Sequence, residues 1–165
     1  MTRRLDHWEL RTAISHGSFA LFDRDTDTDW PEPRVGVLRV APGQVHVECP
    51  HGVTFVRLCL ESWSTEPPAR SEEWSGIQET ELALAHAELS LRRVDGGSLD
   101  TDLMLPSSGR YRMRLLWVVS PESSSWSRDR ESPPGPLPVP SGHADALADV
   151  DAFYLAQFWR TSRTL

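Results

Sequence analysis

Between Leu103 and Val119 the chain reads Leu-Met-Leu-Pro-Ser-Ser-Gly-Arg-Tyr-Arg-Met-Arg-Leu-Leu-Trp-Val-Val, and few folds accept that order of side chains. Pro106-Ser107-Ser108-Gly109 is turn chemistry, because Pro presets φ, serine hydroxyls bond nearby backbone and Gly tolerates positive φ. Beyond the turn the period is two. Tyr111, Met113, Leu115, Trp117 and Val119 share one face, and Arg110, Arg112 and Arg114 share the other. This pattern predicts a strand with a bulky apolar row turned inward and an arginine row turned out.

The same period recurs along the chain. Ser18–Asp23 places Phe19 and Leu21 on one face. Residues 34–41 read as a strand ended by Pro42-Gly43. Gln44–Cys49 alternates, with Val45, Val47 and Cys49 inward and Gln44, His46 and Glu48 outward. After Pro50-His51-Gly52, residues 53–61 carry Val56, Leu58 and Leu60 in one row and Phe55 and Cys59 in the other. Leu82 and Leu84 alternate with Glu81 and Ala83, and Leu89 and Leu91 with Glu88, Ser90 and Arg92. Ala, Glu and Leu favour a helix over 79–91, but leucines repeating at two predict two strands. A short strand is expected over 99–105. Phe153, Leu155 and Trp159, alternating with Tyr154, Ala156 and Phe158, predict a closing strand beside the arginine strand.

The expected architecture is therefore all-β: a single-domain antiparallel β-sandwich of about eight strands with a long Ser/Pro-rich loop. The domain would span residues 1–165, with 1–15 as an N-terminal arm or short helical turn. Residues 120–148 would form a mobile loop before the last strand. Of the residues from Ser120 to Gly142, 15 of 23 are Ser, Pro or Gly, too little apolar surface to offset the entropy of ordering.

Charge narrows the functional classes. The formal net charge is −7, and all 17 basic residues are arginine. That balance argues against direct nucleic-acid binding, which needs a basic footprint. Acidity concentrates between Pro67 and Gly109, where eight carboxylates face three arginines, an arrangement suited to a basic protein partner or to solubility. No hydrophobic leader and no membrane-length apolar run occurs, and Cys49 and Cys59 have no paired spacing, so a cytoplasmic protein with reduced thiols is expected.

Candidate chemistry is sparse. Asp23, Asp25, Asp27 and Asp29 superficially form a calcium-loop row, but the sixth and twelfth positions are Thr28 and Arg34, where such loops need Gly and Glu. A solvated or partner-facing acidic loop is the simpler reading. His46, Cys49 and His51 are close in sequence, yet alternation puts His46 and Cys49 on opposite faces. The cysteines read as small core hydrophobes, and no metal site is expected. No G-x-S-x-G elbow, Walker loop or dinucleotide fingerprint occurs, so no catalytic residue and no cofactor is assigned. Arg110, Arg112 and Arg114 suit carboxylates or phosphates, but pairing with Glu79, Glu81 or Glu88 on a neighbouring strand is favoured.

Several of these stretches together resemble a known family. Ser15-His16-Gly17-Ser18-Phe19-Ala20-Leu21-Phe22-Asp23 followed by Asp29-Trp30 looks like the opening of the competence protein J family of nuclease inhibitors. Leu105-Pro106, Gly109-Arg110-Tyr111, Leu116-Trp117 and Phe153-Tyr154-Leu155 are similar as well. The same layout, with its Arg110-Tyr111-Arg112 strand continuing to Arg114 and its terminal Tyr154-Leu155 and Phe158-Trp159, resembles many uncharacterised actinobacterial proteins. The resemblance is carried by structural residues and implies an acidic protein that inhibits a nuclease by binding it.

The expected function is accordingly a non-enzymatic protein-binding module of nuclease-inhibitor or immunity type. Asp23, Asp25, Asp27, Asp29, Arg110, Arg112 and Arg114 are its candidate contacts. The alternative is a small-molecule or carbohydrate-binding sandwich that uses exposed tryptophans among Trp8, Trp30, Trp63, Trp74 and Trp126.

Overall fold

A computed structural model describes residues 1–14, 16–26, 34–92, 97–121 and 142–161. Every regular element among them is a strand, eleven in all. One sheet is ordered β1 (Arg4–Ala13), β6 (Phe55–Trp63), β11 (Ala152–Arg160), β10 (Gly109–Val119) and β7 (Gly76–Leu84). The other is ordered β3 (Arg34–Val35), β4 (Leu38–Ala41), β5 (Gln44–Glu48), β2 (Ser18–Asp23), β8 (Leu89–Arg92) and β9 (Ser98–Asp100). The all-β expectation holds.

Four local expectations change. Residues 4–13 are neither arm nor helical turn. They form a ten-residue strand paired antiparallel to β6, because Trp8 and Leu10 bring their apolar faces onto the core. Residues 34–41 split at Gly36 into β3 and β4. The strand expected over 99–105 shrinks to Ser98–Asp100. The five-stranded sheet is mixed, since β11 pairs antiparallel with β10 but parallel with β6. Most of the 120–148 loop, residues 122–141, lies outside the described residues.

The stretch 79–91 forms two strands, as the leucine period predicts, and they belong to opposite sheets. Leu82 and Leu84 from one and Leu89 and Leu91 from the other enter the same core. Facing rows supply the rest: Phe19, Leu21, Val45 and Val47 from one sheet, and Val56, Leu58, Met113, Tyr154 and Phe158 from the other. The Phe19 ring meets Tyr154 edge-on across the interior, centroids 5.2 Å apart. Each large side chain buried this way contributes about 1.5–3 kcal/mol.

β10 alternates as its sequence predicts over Tyr111, Met113 and Leu115, then becomes buried on both faces at Leu116 and Val118. A second apolar cluster causes this. Leu147 and Val150 fold over the outer face there and join Val118, Trp74 and Phe153. Residues 64–75 cross the outer face of the same sheet and reach that cluster at Trp74. They are tied down by Arg70 to Glu61 at 3.1 Å and by Arg114 to the carbonyl of Pro67 at 3.2 Å.

The exposed edge at β7 is tied to the other sheet by the Gly43 amide, which donates to the Ala83 carbonyl at 2.8 Å, and by one side chain. Gln78 Oε1 accepts from the Val37 amide at 3.1 Å, and its Nε2 donates to the Val35 carbonyl at 2.7 Å. The amide thereby imitates a strand residue and joins the β3–β4 turn to the other sheet. Gly36 makes the approach possible: its φ is +61°, and a Cβ there would press on Gln78 Oε1.

Candidate functional site

The three arginines of β10 share a face but not a role. Arg114, only 12% exposed at its side chain, donates to Glu79 at 2.7 Å and to Glu66 at 2.7 Å and lies over the Trp159 ring. Arg112 reaches Glu79 at 3.4 Å. These two are absorbed by the fold. Glu88 plays no part in that ladder; it pairs with Arg24 beside the opposite sheet. Arg110 is exposed and meets no carboxylate among the described residues.

Arg110 instead lines a cleft of about 670 Å³ at one end of the sandwich. Its walls come from Thr26, the Pro42-Gly43 turn, the end of β7 at Leu84 and Ala85, and the adjoining ends of β10 and β11. The second guanidinium in the cleft is Arg160. It follows Phe158 on the inner row of β11 and stands opposite Tyr111 in the ladder. Thr161 holds the next rung, its amide donating to the Arg110 carbonyl at 3.1 Å. Gly109, with φ +145°, completes the wall: a Cβ there would sit 2.9 Å from Arg160 Nη2. A smaller hollow of about 260 Å³ continues the cleft along β7 past Ala83, Leu82 and Glu81 and also touches Arg110.

Arginine stays protonated at any physiological pH, so this pair cannot transfer a proton. It offers permanent positive charge and forked donors that match carboxylate or phosphate oxygens. Sequence reading missed Arg160. Its signal is the Trp159-Arg160 ending of the last strand, which becomes informative only once the register sets Arg160 against Tyr111.

The acidic row is divided. Asp23 is 2% exposed, which removes it from any surface row. Its carboxylate accepts from the amides of His86 at 2.8 Å and Glu88 at 2.9 Å, so it fastens the turn between β7 and β8. Asp25 is exposed beside Arg24 and His86, one residue before the cleft-lining Thr26. Asp27 and Asp29 lie outside the described residues.

Among the described residues no three metal-ligating side chains gather. His46 is buried against the Phe22 ring with Nε2 3.1 Å from Gln44 Oε1, so the outward row of β5 is covered. Burial first, then the positive charges of Arg92 and Arg39, lowers its pKa. Burial pushes both cysteine thiols up to about 11. Of the candidate tryptophans, Trp8 packs against the main core, Trp74 joins the second cluster, and the indole of Trp63 donates to Glu61 at 2.9 Å. Trp30 and Trp126 lie outside the described residues.

Sequence reading also missed a buried ion cluster. Glu61, 2% exposed, receives Gln157 Nε2 and Trp63 Nε1, each at 2.9 Å, Arg70 at 3.1 Å and Arg4 at 3.2 Å. Burial opposes its ionisation, but the bonds from Gln157 and Trp63 and the charge of Arg70 outweigh that and hold the carboxyl below its ordinary range. The cluster ties β1, β6, β11 and the 64–75 segment together.

No family model matches the chain, and no curated protein matches it significantly. Two solved structures are similar. One is ComJ of Bacillus subtilis, described as an inhibitor of the DNA-degrading activity of NucA. The likeness covers 98% of this chain and 99% of that one, with a TM-score of 0.59 and 12% identity. The other is the protein of crocagin biosynthetic gene J, with 95% and 98% coverage, a TM-score of 0.62 and 20% identity. At such identities the likeness is one of fold.

Proposed function

We propose that this chain is a non-catalytic protein-binding module that restrains an enzyme, with a nuclease as the target class. The observation that carries the reading is the end-to-end fold likeness to the inhibitor ComJ. The arrangement of charge agrees with it. Asp23, Arg112, Arg114 and Glu61 are held in contacts within the fold, while Arg110 and Arg160 stand in a cleft that no carboxylate lines among the described residues. The rim beside that cleft, with Asp25, and the cleft itself form the surface assigned to the partner.

The test uses the purified chain as bait and as titrant. Immobilised chain is exposed to lysate of the source cells, and retained proteins are purified and re-bound one by one. In parallel, the DNA-degrading activity of the lysate is measured against added chain. The reading expects a purified partner that co-elutes in fixed stoichiometry and a nuclease activity that falls to a plateau at that ratio. A retained partner with unchanged nuclease activity overturns the nuclease assignment. Absence of any stoichiometric partner overturns the binding reading as a whole.

A further inference from the structure

We infer that the cleft between Arg110 and Arg160 receives a carboxylate side chain from an acidic segment of the partner protein. This inference rests on the protein-binding reading above and specifies its chemistry. Elsewhere on the molecule several arginines are matched, Arg24 with Glu88, Arg39 with Glu48, Arg57 with Glu9, Arg70 with Glu61, and Arg114 with Glu79, and Arg92 lies over the Phe22 ring. In the cleft two guanidiniums from adjacent strand ends share one concavity, and among the described residues neither has an acidic partner. The volume, about 670 Å³, lies within the range of ligand-binding pockets. Arg160 is held in place across from Tyr111, and Gly109 leaves room for its head group. Thr26 and Thr161 add hydroxyls to the lining.

The surroundings choose carboxylate over nucleic-acid phosphate. A nucleic acid carries a charge at every nucleotide and would have to lie across the rim. There Asp25 adjoins Thr26, and Glu81 lines the continuing hollow. One carboxylate on a flexible side chain enters between the two arginines without crossing those acids. The forked donors of arginine match its two oxygens.

The experiment measures fluorescence anisotropy of a short labelled peptide whose acidic group is a single Asp or Glu in an otherwise uncharged sequence, with its Asn/Gln counterpart as control. Inorganic phosphate and a single-stranded oligonucleotide serve as competitors. The expected result is saturable, salt-weakened binding of the acidic peptide alone. R110Q/R160Q should weaken it about tenfold or more, the size expected for losing charge-assisted bonds. Both side chains lie at exposed strand ends, so the variant should melt with the wild type, and R160Q alone gives a second readout. Equal binding by wild type and R110Q/R160Q overturns the inference, as does tighter binding of the oligonucleotide or phosphate. Partner capture by the wild type that R110Q/R160Q leaves intact overturns the cleft while the protein-binding reading stands. Peptide binding at the cleft with no partner in lysate separates the two in the other direction.

Discussion

Glu61 is the place where a single substitution reports most about how the five-stranded sheet is held. Its Oε2 accepts from Gln157 and Trp63, and its Oε1 from Arg4 and Arg70. In Glu61→Ala all four donors lose their acceptor at once. Arg4 and Arg70 keep 49% and 32% of their side-chain surface exposed and turn to water, so their share is small. Gln157 is fully buried and cannot turn. The loss is then mainly that of a buried amide left without its acceptor, about 1–3 kcal/mol, or a melting point lower by roughly 2–12 °C for a chain of this size. Glu61→Gln keeps one carbonyl for Gln157 and Trp63 and loses mainly the charge, about 1–2 kcal/mol. The pH dependence has a definite sign. Because the folded carboxyl titrates below its ordinary value of 4.5, its stabilisation is complete above 4.5 and disappears as pH falls through the lowered folded value. Urea unfolding of wild type and Glu61→Gln at pH 7 and near pH 3 measures both quantities. Equal stability at pH 7, or a gap that stays constant down to pH 3, would refute the reasoning.

Four further outcomes follow from the geometry. Gly36→Ala should destabilise by about 2 kcal/mol, combining the left-handed backbone with displacement of Gln78. Gln78→Ala should cost about 1–2 kcal/mol by urea unfolding, and a double variant no worse than Gly36→Ala would show that the two act through one contact. With thiols pushed up to about 11 against an ordinary 9.0, the native chain at pH 8 should hold roughly 100-fold less thiolate than the unfolded chain. Ellman's reagent reads this as slow native and fast unfolded labelling, and rates within threefold would contradict it. By NMR, His46 should titrate below 6.5. Since its folded value is lowered, the stability linked to its neutral form is full above 6.5 and is lost as pH falls through the folded value. A His46 titration at or above 6.5 would count against its burial.

Strand content was legible because half-buried strands write their period directly into side-chain order. Tyr111, Met113 and Leu115 facing the core, and Leu82 and Leu84 alternating with Glu81 and Ala83, follow from local pattern alone. Burial of Leu116, Val118 and His46 did not, because the chain that covers those outer faces comes from elsewhere in sequence. Arg4–Ala13 is a strand through its long-range pairing with β6, which local composition does not show. The site divided in the same way. The exposed arginine face was visible in the period of two. Which arginine remained unmatched depended on residues as distant as Glu66 and Glu79, and on a register that brought Arg160 into the cleft.

The placement of β11 governs when the molecule can come into being. Within its sheet, β1–β6 and β7–β10 are separate antiparallel pairs, and β11 joins them. During synthesis those four strands leave the ribosome well before Ala152–Arg160. Until β11 arrives, β6 and β10 both expose open, strongly apolar edges. The sheet can therefore close only once Ala152–Arg160 has been made, through contacts of long sequence separation that form slowly. A chain stopped before Ala152 would carry two unpaired edges able to recruit strands from other chains. The last of the five strands to be made is the one that makes the others a single sheet.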